Sequence, residues 1–382
     1  MVLDSQGTGA ITLACIISAT LISRAAIAAS ESRTKSISGL EMKQVSISKY
    51  RLCDQRYVIF GAGSAGMGIA TQLRTAIVAQ DGISKEEATK LFWLVDKHGL
   101  LIDRNGMGAS FDDMQKEFAR PGDETWGEGE IPLLMVVKRA RPTVLIGCST
   151  APGTFDQTLV KAVLDATDSV EMPIFLPLSN PTDLAEGKPA DIVGWAHGRA
   201  LVATGSPFPK VQVNLIGRSP YYESVPPPPW VLPHLTLKCR ITECNNALIY
   251  PGLGLGSILS QSRRVTDTML FAGASRLADL SPAVTRVKEF IRSNKIIDPF
   301  YEYEGEKLLP DVQDAPRANF EVGVAVAMQA IKEGSAGADW ATALVGKMDE
   351  EIEQVVRAKA RQISWTPVYH EYLYDEDGLK DS

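Results

Sequence analysis

At 382 residues and 45% apolar side chains the chain has ample material for one large core or two ordinary ones. Its net charge of −7 is spread along the chain with no basic stripe, which sets nucleic acid aside as a partner. The five cysteines (Cys15, Cys53, Cys148, Cys239 and Cys244) form no CxxC pair, and their odd number suits reduced thiols in a cytosolic or organellar enzyme better than a disulfide framework.

Residues 11–29 are strongly apolar. A start carrying Asp4 and no basic residue argues against a secretory signal. Arg24 and many small residues argue against a membrane span. A buried helix of the core is predicted, with Gly7 and Gly9 forming the turn before it. Residues 31–50, rich in Ser and Lys and without a sustained period, read as an irregular linker.

The most informative stretch is 56–96, RYVIFGAGSAGMGIATQLRTAIVAQDGISKEEATKLFWLVD. A short β-rich run enters the cluster Gly61, Gly63, Gly66; a helical pattern opens at Ser64 and Ala65; a second apolar run ends in Asp96. Strand, glycine turn, helix, strand and acid in this order predict a dinucleotide site. Gly61 turns the chain out of the strand, Gly63 lets a pyrophosphate approach the backbone, and Gly66 lets the helix pack on the sheet. The helix N-terminus offers N–H groups to the phosphates, and Asp96 is placed to accept from ribose hydroxyls. The acid comes later than the usual spacing of about twenty residues, and residues 81–90 account for the delay.

Beyond it, a helix capped near Ser110, a helix over 131–139 and a buried strand over 143–147 are predicted. Further strands are read at 174–178, 200–204 and 248–250, each ending in Pro, Gly, Ser or Asn. Open α/β sheets bind ligands beyond the carboxyl ends of such strands. Asn180, Asn245 and Asn246 fall there, and an amide suits a carboxamide, a hydroxyl or a carboxylate, although one Asn alone would as readily cap a turn. From residue 255 the pattern is mostly helical (260–280, 282–294, 315–333 and 348–363), and the aromatic tail with Trp365, Tyr369, Tyr372 and Tyr374 reads as a clamp onto its own domain. The fold class expected is α/β, a Rossmann-like doubly wound and mainly parallel sheet with a helical C-terminal portion. Its divisions are 1–55 (helix and linker), 56–336 (nucleotide-binding domain) and 337–382 (helical tail).

QGTGAITLA, QRYVIFGAGSAGMGIA, LVDKHGLL, LSNPT, GRALVATGSPF, CNNALIYPGLGLG and WTPVYHEY occur in one order. Together they resemble the NAD(P)-binding C-terminal half of the malic enzymes. The resemblance implies oxidation and decarboxylation of L-malate to pyruvate and CO2 with NAD or NADP and a Mg2+ or Mn2+ ion, in a homo-oligomer of the cytoplasm or mitochondrion. It places Gly61, Gly63, Ser64, Ala65 and Gly66 at the phosphates and Asp96 at the ribose. Asn180 and Asn246 fall near nicotinamide and malate, with Asn245 adjacent. Asp4 matches a metal-binding aspartate, while Leu3 stands where a second one is usual. The family's catalytic lysine and tyrosine, a substrate arginine and a Glu–Asp pair of metal ligands match nothing here. The metal site is therefore expected to be incomplete and the chain by itself to have little activity. A non-catalytic NAD-binding fragment or partner subunit and a malolactic-type enzyme are the alternatives.

Stretches 22–52 and 213–242, the latter with four consecutive prolines, are longer than their counterparts and lie between motifs. They fit retained non-coding sequence or genuine surface insertions, whose closure entropy grows slowly with length. Exposure and poor order are expected for 31–50 and 213–236.

Overall fold

The computed structural model describes residues 2–37, 51–104, 110–122, 125–127, 129–168, 171–214, 236–293, 307–343 and 348–364. Helix α1 spans Val2–Ile37, so it starts earlier and ends later than the apolar run. Gly7 and Gly9 are inside this helix, not in a turn before it. A Cβ on Gly9 would lie 3.0 Å from Cβ of Gln72 and 3.1 Å from the carbonyl oxygen of Gly68, and one on Gly7 would lie 3.0 Å from the Tyr250 ring. A helical glycine costs about 1 kcal/mol relative to alanine; here that cost is offset by close approach of neighbouring elements. The stretch Gly7–Ala28 is long and apolar enough to cross a membrane, yet its most apolar window is 83% buried inside the fold. It is a core helix, as read from the sequence, and Arg24 reaches the surface to pair with Asp54. The expected linker is corrected over 31–37, which continue the helix; 38–50 lie outside the described residues.

Strand β1 (Tyr57–Phe60) leads through the glycines into α2 (Ser64–Asp81), α3 (Lys85–Thr89) and β2 (Phe92–Asp96). The late arrival of Asp96 is explained by α3, whose capping box joins Ser84 and Glu87. Short strands β3 (Gly99–Leu100), β4 (Ile102–Asp103) and β5 (Arg120–Pro121) surround α4 (Asp113–Phe118). The cap of α4 is Asp112, boxed with Gln115, and not Ser110. Then come α5 (Leu133–Ala140), β6 (Val144–Gly147), α6 (Gln157–Ala166), β7 (Ile174–Pro177), α7 (Pro189–Trp195) and β8 (Leu201–Thr204).

The main sheet has seven strands in the order β11-β8-β7-β6-β1-β2-β3, with β11 at Thr242–Glu243. All its pairings are parallel except β2 with β3. Side chains alternate between two cores. Tyr57, Ile59, Phe92, Leu94, Val144 and Ile146 join α1, α2 and the C-terminal helices on one face. Val58, Val95, Leu145 and Phe175 join α5, α6 and α7 on the other. Burial on both faces is why these strands read as unbroken apolar runs. The layered parallel sheet is the Rossmann-like doubly wound architecture expected.

Two expectations in the second half are corrected. The ends of the 213–242 stretch are ordered: β9 (Val211–Asn214) pairs antiparallel with β10 (Thr236–Cys239), and β11 follows. Residues 215–235 lie outside the described residues. Residues 248–250 are not a strand. Asn246–Leu248 form a 3-10 turn and α8 (Tyr250–Ser260) starts at once. Asn319 decides this, because its Oδ1 accepts from Gly252 N at 2.7 Å while its Nδ2 donates to the carbonyls of Ala247 at 2.7 Å and Ala315 at 2.8 Å. The remaining helices are α9 (Asp267–Asp279), α10 (Pro282–Ser293), α11 (Ala315–Lys332), α12 (Ala338–Ala343) and α13 (Asp349–Ile363). Trp340, Val356 and Ala360 pack onto α11 around Val324 and Ala327. The tail aromatics Trp365, Tyr369, Tyr372 and Tyr374 lie outside the described residues.

Candidate functional site

From β1 the chain goes out to β2 on one side and later returns to β6 on the other, so the loops leaving β1 and β6 diverge. Such a reversal of strand order opens a crevice at the carboxyl ends. The three glycines sit at its mouth. Gly61 has φ of +106°, and a Cβ there would lie 2.5 Å from the Cys148 carbonyl. Gly66 lies against the strand end, since a Cβ on it would meet the Gly61 carbonyl oxygen at 1.9 Å. Gly63, in contrast, is the extended N-cap of α2, and a Cβ there would meet nothing within 4 Å. The first and third glycines are needed by the protein itself, while the space over the second is open. Ser64 and Ala65 open the first turn of α2, where a helix leaves N–H groups without an intrahelical partner. Asp96 closes β2, half-buried, with the β2–β3 turn beginning beside it.

A cleft of about 370 Å³ lies further along the same sheet edge, beyond β7, β8 and β11. Thr8 and Thr12 of α1 line it with Asn180, Ser206, Cys244, Asn245 and Asn246, among others. The structure thus brings together the three asparagines that the sequence scatters over 66 positions. They do different things. Asn245 caps the 3-10 turn, its Oδ1 accepting from Ala247 N at 2.9 Å and its Nδ2 donating to Glu243 Oε1 at 2.7 Å. Asn246 Nδ2 makes a long contact of 3.4 Å to Thr8 Oγ1, and Asn180 Oδ1 accepts from Ser206 Oγ. Gly205 allows the loops after β7 and β8 to touch, because a Cβ there would lie 2.2 Å from the Leu178 carbonyl oxygen.

Sequence reasoning missed Glu186. It is fully buried, and its carboxylate accepts from Ser149 N at 2.7 Å, Ser149 Oγ at 2.9 Å, Ser179 Oγ at 2.5 Å and Ser179 N at 3.4 Å. No spacing rule marks this residue, since its donors come from the ends of two different strands. Beside it, burial first and the Glu186 carboxylate second push the Cys148 thiol well above its ordinary value. The five cysteines are free thiols.

Residues 5–220 and 233–331 match the family described as malic enzyme, NAD binding domain. The chain belongs to the malic enzyme family. The break in the match falls within the segment between β9 and β10, whereas the 22–52 stretch lies inside the matched range. The chain is 36% identical over 372 residues to NAD-dependent malic enzyme 3 of Bacillus subtilis, covering 96% of this chain and 51% of that protein. It is 40% identical over 281 residues to a malolactic enzyme of Leuconostoc mesenteroides, covering 72% of this chain and 42% of that protein. The solved structure of a malic enzyme from Pyrococcus horikoshii shares the fold, with a TM-score of 0.52 at 19% identity over 94% of this chain and 59% of that one. The chain therefore spans about half the length of the curated malic enzymes it matches.

The glycine loop fits a dinucleotide, since a Cβ on Gly63 would meet no atom within 4 Å and Gly63 is itself the N-cap of α2. The fit to a metal ion is different. Among the described residues no group of three or more His, Cys, Asp or Glu side chains could hold one. Asp4 lies on the first turn of α1, with its side chain outside the described part.

Proposed function

We propose that this chain is the NAD-binding portion of an enzyme that oxidises and decarboxylates L-malate to pyruvate and CO2. The observation that carries the reading is the open position over Gly63, the N-cap of α2, in a turn whose other two glycines are packed against backbone. Gly63, Ser64 and Ala65 would hold the pyrophosphate by backbone N–H groups, where the helix dipole favours negative charge. Asp96 would accept from the adenosine ribose. A carboxylate there favours NAD over NADP, because it hydrogen-bonds a free 2′-hydroxyl and repels a 2′-phosphate. NAD, when bound, supplies the acceptor for the substrate hydride.

Asn180 and Asn246 would fix the nicotinamide carboxamide and the substrate carboxylate in the cleft, with Asn245 holding the turn that carries Asn246. A divalent cation, Mg2+ or Mn2+, belongs to the reaction in the family; the described residues alone do not form a site for it. A malolactic reading is second, supported by the relative of that name.

Fluorescence titration of the 382-residue chain with NADH and NADPH tests the cofactor reading. Saturable binding with NADH preferred is expected, and the absence of binding by either nucleotide would remove it. With L-malate, Mn2+ and NAD supplied to the chain joined to the N-terminal half of a full-length malic enzyme, oxidative turnover yields NADH and pyruvate in equal amounts. Lactate without net NADH would replace that reading by the malolactic one.

A further inference from the structure

A glutamate with no exposed surface is rare, because taking a carboxylate out of water is costly unless hydrogen bonds replace the lost solvent. Glu186 has 0% exposure and is met by four donors, two from the Ser149 loop after β6 and two from the Ser179 loop after β7. The strand that feeds the first loop is shaped for it. A Cβ on Gly147 would lie 2.5 Å from the Glu186 carboxyl carbon, so glycine at the end of β6 leaves room for the acid. The two loops are also tied to each other, with Thr150 N donating to Ser179 Oγ at 2.9 Å.

Each loop leads to a part of the proposed cofactor site. On one side, a Cβ on Gly61 would lie 2.8 Å from Ser149 N, so the Ser149 loop leans on the first glycine of the phosphate turn. On the other, Ser179 precedes Asn180, whose side chain lines the cleft and accepts from Ser206. Glu186 itself does not line the cleft. The carboxylate is a shared acceptor that sets the spacing between the phosphate turn and the asparagine.

We infer that Glu186 is a positioning residue for the nicotinamide half of the cofactor site, acting through Ser149 and Ser179; this rests on the NAD-binding reading above. The adenosine half, at Asp96 beyond β2, lies on the other side of β1 from β6 and β7, so Glu186 should serve the nicotinamide half selectively.

The test compares NADH with AMP, which carries only the adenosine half, on Glu186→Gln, Ser149→Ala and Ser179→Ala chains. Gln keeps the volume but removes the charge and puts an N–H2 group in place of one carboxylate oxygen, and each Ala removes one hydroxyl donor. Circular dichroism and thermal unfolding establish which variants are folded. Glu186→Gln is expected to weaken NADH about 10- to 100-fold and AMP by less than about twofold, since the wrong polar group leaves donors unpaired. The serine variants are expected to weaken NADH about three- to tenfold with AMP unchanged. They decide the matter if Glu186→Gln does not fold. NADH and AMP weakened equally, or both unaffected, in the folded variants would overturn the inference. A parent chain that binds neither nucleotide would instead sink the NAD-binding reading on which it rests.

Discussion

A Cβ placed on Gly66 would lie 1.9 Å from the carbonyl oxygen of Gly61, so the third glycine of the turn is packed against the first. Gly63, between them, touches nothing on its open side. One motif thus contains a glycine whose Cβ position is filled by backbone and another whose Cβ position the protein leaves free. Gly66→Ala should destabilise the chain by about 3 kcal/mol or more, since the clash is with backbone that cannot step aside. Gly63→Val should leave thermal unfolding nearly unchanged and weaken NADH at least about tenfold, equivalent to about 1.4 kcal/mol. Thermal unfolding and fluorescence titration of the two variants check both halves. Similar NADH affinity in the parent and Gly63→Val would take the open face of this turn out of the site.

The neighbouring asparagines are expected to separate in the same way. Asn245→Ala removes a cap from the turn before α8 and should cost about 0.5–2 kcal/mol of stability. Among the described residues, the side-chain hydrogen bond that Asn246→Ala loses is the 3.4 Å contact to Thr8. The variant's unfolding temperature should hardly move while NADH binding weakens. Equal stability losses in the two variants would show that Asn246 is a structural residue.

Acid stability should depend on Glu321. Hydrogen bonds from Arg357, together with Arg276, hold its carboxyl down at about 2, from an ordinary 4.5, and tie α11 to α9 and α13. A carboxylate whose value is lowered on folding contributes stability that is present above about pH 4.5 and is lost as pH falls towards 2. The side chain is 16% exposed, and solvent screening brings the expected contribution to about 1–2 kcal/mol. Urea unfolding of the parent and Glu321→Gln at pH 7 and pH 3 should show a large gap at the higher pH and a smaller one at the lower. A gap independent of pH would deny Glu321 this role.

The thiols should be slow in the folded chain. Cys15 is raised by its hydrogen bond with Cys244 and by burial, and Cys148 and Cys239 are raised by burial first. The thiolate is the reactive form, and little of it exists at pH 8 when the value is lifted, to about 11 for Cys239. A disulfide-exchange reagent at pH 8 should label these three slowly in buffer, and all five free cysteines promptly in urea. Prompt labelling of Cys148 in the folded chain would contradict the raised value of its thiol.

By itself, the sequence determined the parts whose cause is local. Residues 57–66 read as strand, glycine turn and helix because β propensity, glycine freedom and helix initiation act over a few neighbours. The strands at 144–147, 174–177 and 201–204 were legible because burial on both faces leaves them uniformly apolar. Tertiary structure decided the rest. Gly7 and Gly9 look like a turn until Tyr250 and Gln72 come up against them, and then they are points of close helix packing. Residues 248–250 look like a strand until Asn319 takes hold of the neighbouring Ala247 carbonyl and Gly252 amide, after which a helix begins at Tyr250. Glu186 carries no local sign at all. Its donors are 7 and 37 residues away in the chain, and only the parallel pairing of β6 with β7 brings them to one carboxylate. A hydrogen-bond partner supplied by another strand leaves no period in the sequence, so such residues become visible only when the sheet has assembled.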